Sequence, residues 1–322
     1  MSRGLKLTVQ ILVSGGIIAV LLWQIDLQQT AEIIRDSEWA YVLAALVIVV
    51  GSTWLMTWRW SALLAARGVH EPFSWLLGMY FVSFAVGQVL PTAVGGDAVR
   101  IIEHARRRPD AKAIAAASVF MERALGSVGT LILLAAGVGV AVGRYDDVGF
   151  LVILEVVFVA AMVVVGLLLF SRRLGLALER RLFPLLRRIK LEKPLQSLYW
   201  AMHEYRSAPG VMAAVLGVTV VSQALRVVAI WFCGEAVGAD VSPLVYVILG
   251  PLLFLVQMIP FTLNGLGVRE AFFVLFLRGF DVPEDVAFAA GFLYFAVTIA
   301  SSLPGAFILL WKSVRPPAPV GR

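Results

Sequence analysis

Long apolar runs set the rhythm of this chain, and short polar stretches separate them. About 20 apolar residues in a helix span the hydrocarbon core of a bilayer. The runs therefore predict full spans at about 5–25, 39–63, 113–142, 149–170, 209–236 and 286–311. Two further apolar regions, 73–105 and 243–279, are each interrupted by a polar stretch containing Gly and Pro. The first reads Gln88-Val-Leu-Pro91-Thr-Ala-Val-Gly95-Gly96-Asp97-Ala-Val99-Arg100. The second reads Gln257-Met-Ile-Pro260-Phe-Thr-Leu-Asn264-Gly265-Leu-Gly267-Val268-Arg269, then Glu270. Gln88 matches Gln257, Pro91 matches Pro260, Gly96 matches Gly265, Val99 matches Val268 and Arg100 matches Arg269. Helix breakers beside charges at membrane depth leave backbone that must line a cavity or be buried in protein. Two such segments, one in each half, point to a transporter binding site.

The basic residues decide whether these regions cross. Lys- and Arg-rich loops stay cytoplasmic. Residues 172–193 hold Arg172, Arg173, Arg180, Arg181, Arg187, Arg188, Lys190 and Lys193 against Glu179 and Glu192, a surplus equal to the whole chain's +6. The N-terminus, the Arg67 loop, Arg106–Arg108 and Lys312–Arg315 are also basic. The connections around Asp26–Glu38, Asp146–Asp147, Asp240 and Asp281–Asp285 are acidic. A first region that crossed completely would put Arg106–Arg108 and the 172–193 loop outside. A first region that enters, breaks at Pro91–Gly96 and returns keeps every basic loop inside. By the same logic 243–279 enters from the other face and breaks at Pro260–Gly267. The alternative, two proline-kinked ordinary helices, does not satisfy the charge rule. The expected architecture is an all-α integral membrane bundle of about six full spans plus two re-entrant hairpins in an inverted repeat. It forms a single membrane domain over 1–322, with both termini cytoplasmic and a disordered tail at about 315–322.

Composition agrees. The chain is 60% hydrophobic and 15% charged, with mean hydropathy +0.89. The longest polar stretch, about 171–207, is too short to build a core of its own. The N-terminal run lacks a persuasive cleavage site and reads as an uncleaved first span. The positive charge sits in the 172–193 stretch, where paired arginines alternate with leucine clusters. That pattern suits anionic lipid headgroups rather than nucleic acid. Cys233 is the single cysteine and reads as a small buried hydrophobe. His70, His104 and His203 are too scattered to suggest a metal site, and no cofactor is expected.

Ionisable groups inside spans are costly, so each is a functional candidate. Asp97 and Arg100 would share a face of a helix restarting after Gly95-Gly96. Capping that helix is the alternative role of Asp97. Arg269 and Glu270 hold the matching place in the second hairpin. Glu122 and Arg123 lie inside a span, as a structural ion pair or as part of the site. Arg226 also lies well inside a span, whereas Arg59, near a span end, reads as a snorkelling interface residue. Arg100 and Arg269 recur, and a guanidinium beside helix N-termini suits phosphate. The expected substrate-binding set is Arg100, Arg269, Asp97, Glu122, Arg123, Glu270, Asn264, Gln88 and Gln257. Pro91, Gly95, Gly96, Pro260, Gly265 and Gly267 would break the hairpins. Gly139 and Gly143 are spaced for helix packing.

Leu90–Arg100, Ser118–Gly126 and Ile259–Ala271 resemble the signature blocks of the transmembrane region of lysylphosphatidylglycerol synthases. In two-part members that region is the flippase, and a soluble domain makes the lipid. The sequence stops at Arg322 without such a domain, so the resemblance implies a stand-alone, non-enzymatic form. The implied function is a flippase or transporter for a phosphate-headgroup lipid, either a phospholipid or a polyprenyl-phosphate-linked precursor, in the cell membrane. A membrane-embedded transferase and a non-transporting scaffold of a lipid-modifying complex are the alternatives.

Overall fold

Backbone amides inside lipid find no water, so apolar runs of this length close their hydrogen bonds within themselves as helices. The computed structural model describes residues 27–89, 95–141, 149–171, 192–257 and 267–314. The predicted first span, the breakers Pro91, Pro260 and Gly265, Asn264, most of the basic 172–193 stretch and the tail at 315–322 lie outside them. The described residues form eleven helices and no strand. They are α1 (Leu27–Arg35), α2 (Trp39–Ala65), α3 (Phe73–Val89), α4 (Gly95–Arg107), α5 (Lys112–Ala141) and α6 (Gly149–Phe170), then α7 (Glu192–His203), α8 (Pro209–Ala236), α9 (Pro243–Gln257), α10 (Val268–Leu277) and α11 (Glu284–Val314). The protein is an all-α, multi-pass membrane protein. Helices α2, α5, α8 and α11 are each long and apolar enough to cross a bilayer.

The central pair is α2 against α8. Glu38 N–H donates to Ala236 O at 2.9 Å, Tyr41 meets Phe232 with ring centroids 5.6 Å apart, and Tyr205, just before α8, donates to Leu63 O at 3.0 Å. One partner number falls as the other rises, so the two helices run antiparallel. Val42, Ala45 and Val49 of α2 and Ile230 and Cys233 of α8 join the largest apolar cluster. Cys233 is free and buried there, as expected.

Helices α3 and α4 also run antiparallel. Arg107 lies 2.9 Å from Glu71, just ahead of α3. Farther along, His104 packs on Trp75, Arg100 on Tyr80 and Gly96 on Ser83. A Cβ on Gly96 would stand 2.3 Å from Ser83 O, so only glycine lets the two backbones meet there.

Helix α11 packs on both α10 and α3. Its first half packs on α10, where Gly291 meets Phe273 and Arg269 lies over the Phe295 ring. Its second half packs on α3, where Gly305 meets the Phe81 carbonyl and Ile308 meets Gly78. Helix α5 reaches across to α9 in a similar way, with Gly137 against the Val247 carbonyl. The close-approach glycine of α5 is therefore Gly137. A Cβ on Gly139 would face open space, so the spacing expected to pack does not do so at that residue. Two positions changed which side of the helix meets a partner.

Apolar side chains cover much of the outside. Helix α6 exposes Ile153, Val156, Val163 and Leu167, and α11 exposes Leu303, Phe307 and Leu310. Such faces suit lipid rather than water. The second half of the polar 172–207 stretch, helix α7 and the turn after it, buries Ala201, Met202 and Tyr205 against Leu63, Met121 and Leu125.

Candidate functional site

Glu122 is the hub of the polar centre. It sits on α5 at 4% exposure, where an isolated carboxylate would be prohibitively costly. Arg100 Nη1 donates to its Oε2 at 2.9 Å. The Tyr80 hydroxyl donates to its Oε1. Arg59 Nη2 stands 3.6 Å from the same oxygen and donates to the Glu122 main-chain carbonyl at 3.1 Å. Arg59 is thus buried, at 4% exposure, and is not a snorkelling residue. A carboxylate and a carbonyl one helix away give its charge partners at depth, so it need not reach the interface.

Asp97 lies in the first turn of α4, on the face that carries Arg100, as their spacing implies. Arg100 Nη2 donates to Asp97 Oδ1 at 2.6 Å, and Arg123 Nε donates to Oδ2. The Arg100 guanidinium is also stacked, 4.1 Å from the Tyr80 ring and 5.0 Å from the Trp60 ring. Trp60 is held in turn by its Nε1–H bond to Ser118 Oγ at 3.0 Å. Both carboxylates are thereby answered, and Arg100 is clamped between them. The Glu122–Arg123 pair divides: Glu122 is enclosed, and the Arg123 side chain keeps 41% of its exposure.

These groups form one wall of a cavity of about 370 Å³. Tyr80, Ser83 and Gln88 come from α3, Gly96, Asp97 and Arg100 from α4, and Glu122, Arg123 and Thr130 from α5. Gln223 and Arg226 of α8 and Phe254 and Gln257 of α9 complete the lining. Gln88 and Gln257, the first residues of the two repeated motifs, therefore line the same space. Gln223 is fixed by its amide donating to Gly126 O at 2.9 Å and by Thr130 Oγ1 at 3.2 Å.

Arg269 and Glu270 are not among the cavity residues. Arg269 donates to Glu270 Oε1 through Nε at 3.0 Å and Nη2 at 2.9 Å. Glu270 Oε2 accepts the Gly267 N–H at 2.7 Å, closing the first turn of α10. Both are buried, and the Arg269 guanidinium lies 4.5 Å from the Phe295 ring. The repeated arginines thus occupy different surroundings: Arg100 borders the cavity, and Arg269 fastens α10 to α11. Gly95 and Gly96 open α4, and Gly267, at φ +82°, precedes α10.

Arg226 is the residue the repeat did not mark. It stands ten residues before the end of α8, about 15 Å along the axis at 1.5 Å per residue. Among the described residues it has no ion pair and no hydrogen bond. Its guanidinium lies 5.6 Å from the centre of the Phe254 ring, and among the described residues its Nε is buried without a partner. The only signal in the sequence was an arginine deep inside an apolar span. Among the described residues no group of His, Cys, Asp or Glu is arranged to hold a metal ion.

Residues 7–305 match the family described as the lysylphosphatidylglycerol synthase TM region. A relative, a UPF0104 membrane protein of Methanothermobacter thermautotrophicus, is 24% identical over 301 residues. The match covers 87% of this chain and 88% of the relative.

Proposed function

The chain belongs to the lysylphosphatidylglycerol synthase TM-region family, and from that premise we propose that it moves a phosphate-headgroup lipid between leaflets. The observation that carries this reading is the cavity: both repeated motifs reach it, and four arginines line it against two carboxylates. The headgroup passes through this polar space while the tails stay in lipid.

Helix lengths support the two re-entrant hairpins. Helices α3 and α4 hold 17 and 13 residues, about 25 and 20 Å, and α9 and α10 hold 15 and 10, about 22 and 15 Å. A hydrocarbon core is about 30 Å thick. The inverted repeat gains support from element order. Shifting α2, α3, α4 and α5 along the chain by the Gln88-to-Gln257 interval lays them on α8, α9, α10 and α11 to within about four residues. The long helix after each hairpin packs, through a glycine, on the first helix of the other hairpin. Such pairs rock about a shared site in alternating access. The basic connections, and with them both termini, face the cytoplasm in the cell membrane.

Transport is tested with the purified protein in liposomes. Fluorescent phosphatidylglycerol and a fluorescent polyprenyl phosphate are placed in both leaflets, and loss of the outer-leaflet signal is followed with an impermeant quencher. Scrambling of at least one lipid faster than in protein-free liposomes is expected, with slowing in Arg123→Gln. Rates equal to protein-free liposomes for both lipids reject transport.

A further inference from the structure

Charge in the cavity is unbalanced in a way that specifies its ligand. Arg59, Arg100, Arg123 and Arg226 face Asp97 and Glu122, a surplus of two positive charges. Glu122 meets two arginines and a phenol hydroxyl, and Asp97 meets two arginines, so neither carboxylate is engaged with Arg226. The sequence between α3 and α4, 90–94, and between α9 and α10, 258–266, contains no ionisable residue.

Arg59, Arg100 and Arg123 surround the two carboxylates and leave one positive charge in surplus there, and Arg226 supplies the other. Arg226 has an apolar neighbour in place of a counter-ion, and an unpaired charge at such depth is strongly disfavoured. Gln257 lines the same cavity, and among the described residues its Nε2 is also buried without a partner. Two orphaned donors, one of them cationic, border one space.

We infer that Arg226, with Gln257, anchors a receptor for a phosphate group carrying two negative charges, a phosphomonoester or a diphosphate. A phosphodiester carries one charge and leaves one of the cavity's two surplus positive charges unanswered. A monoester carries close to two at pH 7. The guanidinium fork engages two phosphate oxygens at once, and the Gln257 amide donates to a third. This assignment rests on the transport reading and narrows its substrate class. Arg100 is left as a positioning residue, since both its carboxylate partners are within the protein.

The test uses the full chain in detergent, with equilibrium binding of farnesyl diphosphate, dioleoyl phosphatidic acid, dioleoyl phosphatidylglycerol and inorganic pyrophosphate. Farnesyl diphosphate and phosphatidic acid should bind at least about tenfold more tightly than phosphatidylglycerol. Arg226→Gln should erase that preference without lowering the melting temperature, because no ion pair is broken. Gln257→Met should weaken diphosphate binding severalfold and guards against a misfolded Arg226 variant. Equal affinity for phosphatidylglycerol overturns the charge assignment. Unchanged preference in folded Arg226→Gln overturns the anchor. Pyrophosphate binding as tightly as farnesyl diphosphate upholds the receptor and assigns it to a soluble anion. Failure of the transport reading shows separately, as absent scrambling in liposomes by a protein that still binds.

Discussion

Single residues divide into those that hold the polar centre together and those that face its open space. Glu122 belongs to the first kind: removing its charge strands Arg59 and Arg100 at about 4% exposure. Breaking a buried pair from one side costs about 3–5 kcal/mol. Glu122→Gln should therefore lower the melting temperature in detergent markedly, and Asp97→Asn should do the same through Arg100 and Arg123. A melting temperature unchanged in both variants would contradict the hub. The sequence made Asp97, Arg100, Glu122 and Arg123 legible because charges inside apolar runs demand partners. It could not pair them, since Glu122 lies on a helix outside the repeated motif. Arg59 was misread because distance from a span end says nothing of what stands on the next helix. Arg226 carries no mark of the repeat, which points instead to Arg269, whose neighbour Glu270 satisfies it locally.

Elements meet where side chains vanish. Gly96 and Gly305 each place a helix against a carbonyl of α3: a Cβ would stand 2.3 Å from Ser83 O at Gly96 and 1.9 Å from Phe81 O at Gly305. Neither carbonyl can yield without moving its helix, and overpacking of this kind costs about 1–3 kcal/mol. Gly96→Ala and Gly305→Ala should each destabilise the protein in thermal unfolding. Gly217→Ala, with nothing within 4 Å, should be neutral or slightly stabilising. Equal behaviour of all three would mean that the helices do not approach as described. Helix existence was plain from the apolar runs, and the boundaries of α2, α6 and α8 fall within about two residues of expectation. Which glycines mediate contact was not plain. Gly137 and Gly139 are equally small, and only the facing helix chooses between them.

At the scale of the whole molecule, the disposition of charge is the strongest argument for how the bundle sits in its membrane. Exposed Arg106 lies in the last turn of α4, and exposed Asp281 follows the turn after α10. If both hairpins turn back, the first lies on the basic, cytoplasmic side and the second on the opposite side. If α3 crossed fully, Arg106 would be outside, and so would the Arg-rich stretch that follows two spans later. Cysteine at either position reports its side directly once Cys233, buried between α2 and α8, is replaced. In intact cells carrying Arg106→Cys or Asp281→Cys in a Cys233→Ala background, an impermeant maleimide should label position 281 alone. Both should label once the membrane is permeabilised, which shows that position 106 was protected by the bilayer and not by folding. Labelling at 106 and not at 281 in intact cells would invert the topology and remove the charge argument for two opposed hairpins. Labelling at both would let one region cross and the other turn back, and no inverted repeat could then relate them.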